Sequence, residues 1–380
     1  MNELLDDRYV EYRKKVRAFA ERELKPLAIE QDEKEEFPVE LALKMGQEGL
    51  FGIALPKAYG GQGLDYLSYI IAVEELARID SSPAATIAAH NSLGISPIYT
   101  FGTEEQRVKY LPGLCTGEKL WAFGLTEDNA GSDAKGVETE ARLEDKHWVI
   151  NGTKMFITNS CSAIATGITV QAITGLKDGK KELSAILLDR TTPGYETAPI
   201  KGKLMWRAVD NGKLKFTDCC VPESNLLGKR GEGMKIMLST LDGGRLSIAA
   251  IGLGLAQGAF EMASAYAKKR SQFGKPLSDF QSVSFKLAEM AMKIELARNT
   301  LYHTCRLKEA GLPFGKQAAM SKLYCSDIAR EIAGESLQIH GGFGFLRENH
   351  IERFYRDQRL LSIGEGTSEI LKMVISRYVL

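Results

Sequence analysis

Trp148-Val149-Ile150-Asn151-Gly152-Thr153-Lys154-Met155-Phe156-Ile157-Thr158-Asn159 is the stretch whose reading decides the fold. Its β-branched and aromatic residues are strand formers, gathered in runs too short for helices. Asn151-Gly152, between two such runs, is a hairpin signal, because tight primed turns need residues that tolerate positive φ. Three further short apolar runs share the character: Ile168-Thr169-Val170, Ala185-Ile186-Leu187-Leu188 and Leu214-Lys215-Phe216. Turn clusters such as Pro193-Gly194 separate them, so the segment from about 121 to 229 reads as an all-β module. Adjacent Cys219 and Cys220 fall inside it, one facing in and one out.

On both sides the pattern is helical. Tyr9, Tyr12, Val16 and Phe19 share one helical face, and Pro26 follows its end. A glycine-rich loop at 56–63 precedes a second helix from Ser68 to Ile79. Beyond Gly233, Val283, Leu287, Met290, Ile294, Ala297 and Leu301 recur at helical spacing, the seam of a bundle or of a subunit contact. A helix over 317–340 stops at Gly341, and a last one presents Ile370, Met373, Val374 and Tyr378 on one face. The order helices, strands, helices gives an α+β chain. Its expected division is an N-terminal helical domain (1–118), a β-barrel or sandwich domain (119–230) and a C-terminal four-helix bundle (231–380).

A chain of 380 residues with 44% hydrophobic and 26% charged residues has the composition of a soluble globular protein. Lys+Arg and Asp+Glu balance at 49 each, which argues against a nucleic-acid surface or a basic membrane patch. No uninterrupted apolar run approaches the ~18 residues of a membrane span. The acidic start, Met1-Asn2-Glu3-Leu4-Leu5-Asp6-Asp7, resembles neither a secretory signal nor a transit peptide. A cytosolic protein, or a processed mature chain, is expected. The six cysteines are scattered without a C-x-x-C pair, and the five histidines form no ligand motif, so reduced thiols and no metal site are expected.

The candidate chemistry centres on Ser362-Ile363-Gly364-Glu365-Gly366-Thr367-Ser368-Glu369. A carboxylate flanked by glycines can approach a buried ligand closely. Desolvation there raises its pKa towards working pH, which suits a general base. The plainer reading is a loop ahead of a helix cap, with Thr367 as the N-cap.

Five segments in this order resemble the acyl-CoA dehydrogenase family. They are Phe123-Gly124-Leu125-Thr126-Glu127-Asp128-Asn129-Ala130-Gly131-Ser132-Asp133, the stretch 151–159, Arg270-Ser271-Gln272-Phe273-Gly274, Gln338-Ile339-His340-Gly341-Gly342-Phe343-Gly344, and Gly364-Glu365-Gly366-Thr367. Within the family the sequence is most similar to the short-chain, butyryl-type branch and its bacterial relatives. The resemblance implies FAD, an acyl-CoA substrate, an electron-transferring flavoprotein as acceptor and a homotetramer in the bacterial cytoplasm. A mature mitochondrial matrix form is the alternative. It also implies roles. Phe123, Leu125, Thr126, Phe156 and Thr158 would meet the isoalloxazine. Arg270, Gln272 and Phe273 would reach the FAD of a neighbouring subunit, with Gln338, Gly341 and Gly342 on its adenosine side. Thr367 and Glu369 would touch the FAD of their own site. Ser132, Asp242 and Arg245 would meet CoA and the thioester. Glu365 would take the α-proton while the β-hydride goes to the flavin, with its own backbone N–H polarising the carbonyl.

For Thr126 and Thr158 ordinary strand positions remain open, as does a structural salt bridge for Asp242 and Arg245. Branches resembling isovaleryl-CoA dehydrogenase place the base immediately before the equivalent of Arg245, which here is Gly244. Gly364 replaces a Tyr of many straight-chain members, leaving room for a branched or cyclic acyl group. Ala89 and His90 fall in the region resembling the pocket floor, although a satisfied core-edge histidine is the commoner fate. Ala84 stands where glutaryl-type members carry an Arg. Trp206-Arg207-Ala208-Val209-Asp210-Asn211 departs from the family's Ser/Thr-containing pattern. The reverse reaction, enoyl-CoA reduction with an electron-transferring flavoprotein, is the second function kept.

Overall fold

The structure, a computed structural model, describes residues 5–380; the acidic start at Met1–Leu4, used above against a leader, lies outside them. The N-terminal region holds α1 (Asp7–Phe19), α2 (Ala28–Lys34), α3 (Val39–Gln47), α4 (Tyr66–Ala77), α5 (Ser81–Ala89), α6 (Ser96–Phe101) and α7 (Glu104–Cys115). The face expected on α1 is the packed one, with Tyr9, Val16 and Phe19 buried. In α4 every residue from Leu67 to Ala77 is buried, so it is the core helix of this region. Between α5 and α6 the chain widens into a π-helical turn, His90–Ile95. Gly94 lies in that turn, where a Cβ would stand 2.5 Å from the Trp121 carbonyl oxygen, and its absence admits the first strand.

The strands are β1 (Leu120–Gly124), β2 (Glu140–Glu144), β3 (His147–Thr158), β4 (Ala165–Lys177), β5 (Lys180–Asp189), β6 (Tyr195–Pro199), β7 (Asn211–Pro222) and β8 (Leu226–Leu227). They form one sheet in the order β6-β7-β3-β2-β4-β5-β8, with β1 parallel to β4. Trp148, Ile150, Leu214 and Phe216 share a core with Ile168, Val170, Ile186 and Leu188, so the two halves of the sheet face each other like a sandwich. All four apolar runs read from the sequence lie in strands, with Cys219 buried and Cys220 exposed. The hairpin at Asn151-Gly152 is corrected: β3 runs straight through it. The turn is two residues of Asp145-Lys146, with φ of 45° and 63°, joining β2 to β3. Gly152 instead marks a register shift, where a Cβ would lie 2.7 Å from Thr139 Cα.

The C-terminal region contains α8 (Gly233–Lys269), a small hairpin of β9 (Ser271–Gln272) and β10 (Lys275–Pro276), α9 (Gln281–Glu309), α10 (Gly315–His340), α11 (Ile351–Asp357) and α12 (Ser368–Ser376). Three long helices pack together with the shorter terminal helices against α10. On α9 the seam is as read, with Met290, Ile294, Ala297 and Leu301 buried. The reading of α12 is corrected, since Leu371 is its buried residue and Met373 is exposed. By length and composition α8 could cross a membrane, but 78% of its apolar window is buried inside the protein. It packs on α4 as well as α10, so residues of the two helical regions share one hydrophobic core around the inserted sheet.

Candidate active site

The loop between a 3₁₀ turn at Gln358–Ser362 and α12 carries Glu365. Glu365 itself has φ 52° and Gly366 φ 97°, two successive left-handed residues that turn the carboxylate back towards α8. There it lies against Gly244, where a Cβ would stand 2.0 Å from Glu365 Oε2. That oxygen is buried and has no hydrogen-bond partner among the described residues. Desolvation pushes the carboxyl up to about 7, against the pull of Lys322 and Arg245. A carboxyl near neutrality with a free oxygen suits it to accept a proton from a ligand.

The neighbours of Glu365 come from three helices. On α8, Arg245 is buried and ion-paired with Asp242 one turn earlier. Burial raises Asp242 despite Arg245 and Lys308 nearby. On α4, the Tyr66 hydroxyl donates to the Gly243 carbonyl at 2.8 Å. Leu93, from the π-helical turn, would touch a Cβ at Gly244, at 3.1 Å. On α10, Lys322 donates to the Gly366 carbonyl at 2.7 Å. The sequence reading missed Lys322 and Tyr66, while Leu93 ends the stretch resembling the pocket floor. No motif marks Lys322 or Tyr66, and the folding together of α4, α8 and α10 brings them to the loop.

His90 takes the commoner of its two expected fates, a satisfied core histidine, and not a place in the acyl pocket. Its ring is fully buried, with Nε2 2.9 Å from the Leu114 carbonyl and Nδ1 3.3 Å from the Trp121 amide. Burial lowers it to about 4, so it is neutral. Nε2–H then donates to Leu114 and Nδ1 accepts from Trp121. The ring ties α7 to β1 and has no nitrogen left for an acyl group. Ala89 beside it is half-buried.

A second set of residues belongs to the sheet. Between Lys154 and Ile157 the register of β3 slips against β7, and the Met155 N–H turns to the Thr126 carbonyl at 2.9 Å. The bulge lifts Phe156 to φ 60° with 64% of its surface exposed. Thr158 is half-buried, its hydroxyl 3.3 Å from Asn211 Nδ2. Beneath them the buried Lys154 ammonium reaches Glu127 at 2.7 Å and the Leu125 carbonyl at 3.3 Å. Glu127 also accepts from Thr139 and from the Glu138 N–H, which fixes the loop holding Leu125 and Thr126. Phe123 is buried on β1. An aromatic ring held outward at positive φ, beside a hydroxyl and a rigid loop, fits a planar ring system such as a flavin.

A third set lines a cavity of about 430 Å³ on the C-terminal region: Arg270, Gln272, Gly341 and Gly342, with Tyr266 and His340 stacked at 4.4 Å beside them. The Arg270 guanidinium stands 5.7 Å over the Phe343 ring, Gln338 is exposed nearby in sequence, and Phe273 projects with 94% of its surface exposed. Arg270 and Gln272 thus share one cavity with Gly341 and Gly342. Thr367 accepts from the Ile370 N–H as N-cap of α12, and Glu369 is exposed in its first turn. Ser132 lies in an exposed loop, and the structure does not bring it to Glu365.

A carboxyl with one buried, partnerless oxygen, set among three helices, together with an exposed aromatic ring on a bulged strand, suits proton removal beside a planar cofactor. Residues 6–118, 122–219 and 231–380 match the N-terminal, middle and C-terminal domains of acyl-CoA dehydrogenase, respectively. The chain is 46% identical over 364 residues to the short-chain specific acyl-CoA dehydrogenase of Clostridium acetobutylicum, covering 96% of each. It is 42% identical to acryloyl-CoA reductase (NADH) of Anaerotignum propionicum, covering 97% of this chain and 93% of that one. A chain solved in a study of the electron transferring flavoprotein of Acidaminococcus fermentans and flavin-based electron bifurcation superposes with a TM-score of 0.96. It is 42% identical, with both chains covered completely. The protein belongs to the acyl-CoA dehydrogenase family. It is an FAD-dependent oxidoreductase.

Proposed function

We propose that Glu365 is the base that removes the α-proton of a short-chain acyl-CoA thioester, giving a trans-2-enoyl-CoA. The observation that carries this reading is the buried, unpartnered Glu365 Oε2 over the gap left by Gly244. The Glu365 N–H polarises the thioester carbonyl, acidifying the α-carbon. FAD, when bound, supplies the acceptor for the β-hydride. Phe123, Leu125, Thr126, Phe156 and Thr158 hold its ring system, with Thr367 and Glu369 on the same cofactor. Arg270, Gln272 and Phe273, with Gln338, Gly341 and Gly342, hold the FAD of a neighbouring subunit in a homotetramer. Ser132 takes part in CoA binding, and the Asp242–Arg245 pair borders the thioester. The division 1–118, 119–230 and 231–380 describes the three domains.

The acyl group is short and has room for a branch or ring beside the reacting carbons. A Cβ on Gly364 would meet nothing nearer than the Leu360 carbonyl at 3.7 Å, so the glycine leaves usable space. Electrons leave to an electron-transferring flavoprotein in a bacterial cytoplasm. Enoyl-CoA reduction is the second reading, favoured by the likeness to an acryloyl-CoA reductase.

Anaerobic bleaching of the bound flavin by linear, branched, cyclic and aryl acyl-CoAs tests the reading. Short linear and branched thioesters should bleach it, and E365Q should abolish bleaching. The rate should rise as pH passes about 7, because the base acts as its carboxylate. Flavin-loaded protein that no acyl-CoA bleaches, but that enoyl-CoA reoxidises after chemical reduction, would favour the second reading.

A further inference from the structure

Lys322 lies in the middle of α10 with no exposed surface. Burying an ammonium is costly unless it is paired, and an apolar side chain would fill that volume at less cost. Lys322 Nζ donates to the Gly366 carbonyl, the residue that follows Glu365. One turn along the same helix, the single proton of the Ser326 hydroxyl is shared between the Lys322 carbonyl at 2.7 Å and the Leu361 carbonyl at 3.0 Å. Helix α10 thus grips the loop on both sides of a base whose backbone is held at φ 52°. An unusual backbone of this kind persists where its surroundings over-determine it.

The charges around the carboxyl are few. Arg245 on α8 is already paired with Asp242, which also faces Lys308 of α9. Tyr66 and Tyr69 of α4 are neutral phenols, pushed up by burial first and by Glu365 only to a lesser extent. Glu369 on α12 is exposed, with Lys372 and Arg359 near it. Of the two cations acting on Glu365, Lys322 has the larger effect.

We propose that Lys322 is a positioning residue for the reaction. It fixes the base loop through the Gly366 carbonyl, and its ammonium stabilises the Glu365 carboxylate inside a site that disfavours charge. The proposal rests on the reading of Glu365 as the base. Burial lowers Lys322 to about 8, so it loses its charge just above the range in which Glu365 gains its own. The two groups then give a bell-shaped profile that belongs to the pair.

The test is the pH dependence of flavin bleaching at low acyl-CoA concentration, in flavin-loaded wild type, K322R, K322M and E365Q. Flavin content and thermal midpoint are recorded for each. In wild type the rate should rise through about 7 and fall through about 8. K322R keeps the charge at all these pH values, so it should keep the acid limb and lose the alkaline one. K322M should move the acid limb up by about one pH unit and slow the plateau roughly tenfold. If K322M fails to fold, K322R still decides, because an alkaline limb unchanged from wild type overturns the proposal. So does a folded K322M with the wild-type acid limb and rate. E365Q that bleaches normally would instead remove the base reading on which the proposal stands.

Discussion

A methyl group at position 244 would stand 2.0 Å from Glu365 Oε2 and 3.1 Å from Leu93 Cδ2. Glu365 Oε2 is the far end of a flexible side chain, so the carboxylate is the group that moves. G244A should therefore fold and keep its flavin but bleach with short acyl-CoAs roughly 100-fold more slowly, the usual effect of misplacing a reacting group by an ångström. Single-turnover bleaching reads this directly, and a wild-type rate would show that the carboxylate works from another position. The sequence identified Glu365 through its two glycines, although they serve different ends. Gly366 needs its φ of 97°, whereas Gly364 leaves space. Gly244 was legible as a position without a base, but its steric purpose was not. For His90 the sequence left two fates open, and only the fold shows that its ring turns into the core rather than to the acyl pocket.

At the scale of elements, strand and helix positions followed well from apolar patterning, and turn chemistry misled once. Asn151-Gly152 has the composition of a primed turn, yet Asp145-Lys146 makes it. Asn151 is held in the ladder opposite Glu140, and its side chain bonds to Asp218, so long-range pairing outweighs a local turn preference. The same strand carries Lys154, whose burial nothing in the alternation announced, because its partner Glu127 lies 27 residues earlier. The pair organises the loop at Leu125 and Thr126. K154M would leave Glu127 buried without its cation, with only the Thr139 and Glu138 donors remaining, a loss of about 3 kcal/mol. The expected outcome is a clear fall in thermal midpoint together with weaker flavin retention. E127L/K154M, which removes both charges, should recover much of the stability but not the flavin affinity. A K154M protein as stable as wild type would show that the pair contributes only local order.

For the whole molecule, the order helices, strands, helices was legible in the sequence. What it could not show is that α4 and α8, separated by the entire sheet in sequence, pack into one core. Nor could it show which apolar residues remain uncovered. Phe273 is 94% exposed at φ 51° on the β9–β10 hairpin, and Phe345 is 73% exposed beside the cavity that Arg270 and Gly341 line. Two outward aromatic side chains, one at a strained φ and the other beside a cavity, are apolar surface that a lone chain leaves in water. That surface is covered if a second subunit and its cofactor pack on it. In that case assembly and flavin binding are linked, since each adds surface for the other. F273S/F345S should then sediment as smaller species than wild type at the same concentration. Monitoring at the flavin's visible band should show colour lost from those species in parallel. Smaller species that keep their full flavin would separate the two properties and place the cofactor entirely within one chain. Unchanged sedimentation would move the subunit contact elsewhere, the exposed Phe285, Met292 and Leu296 of α9 being the next face to substitute.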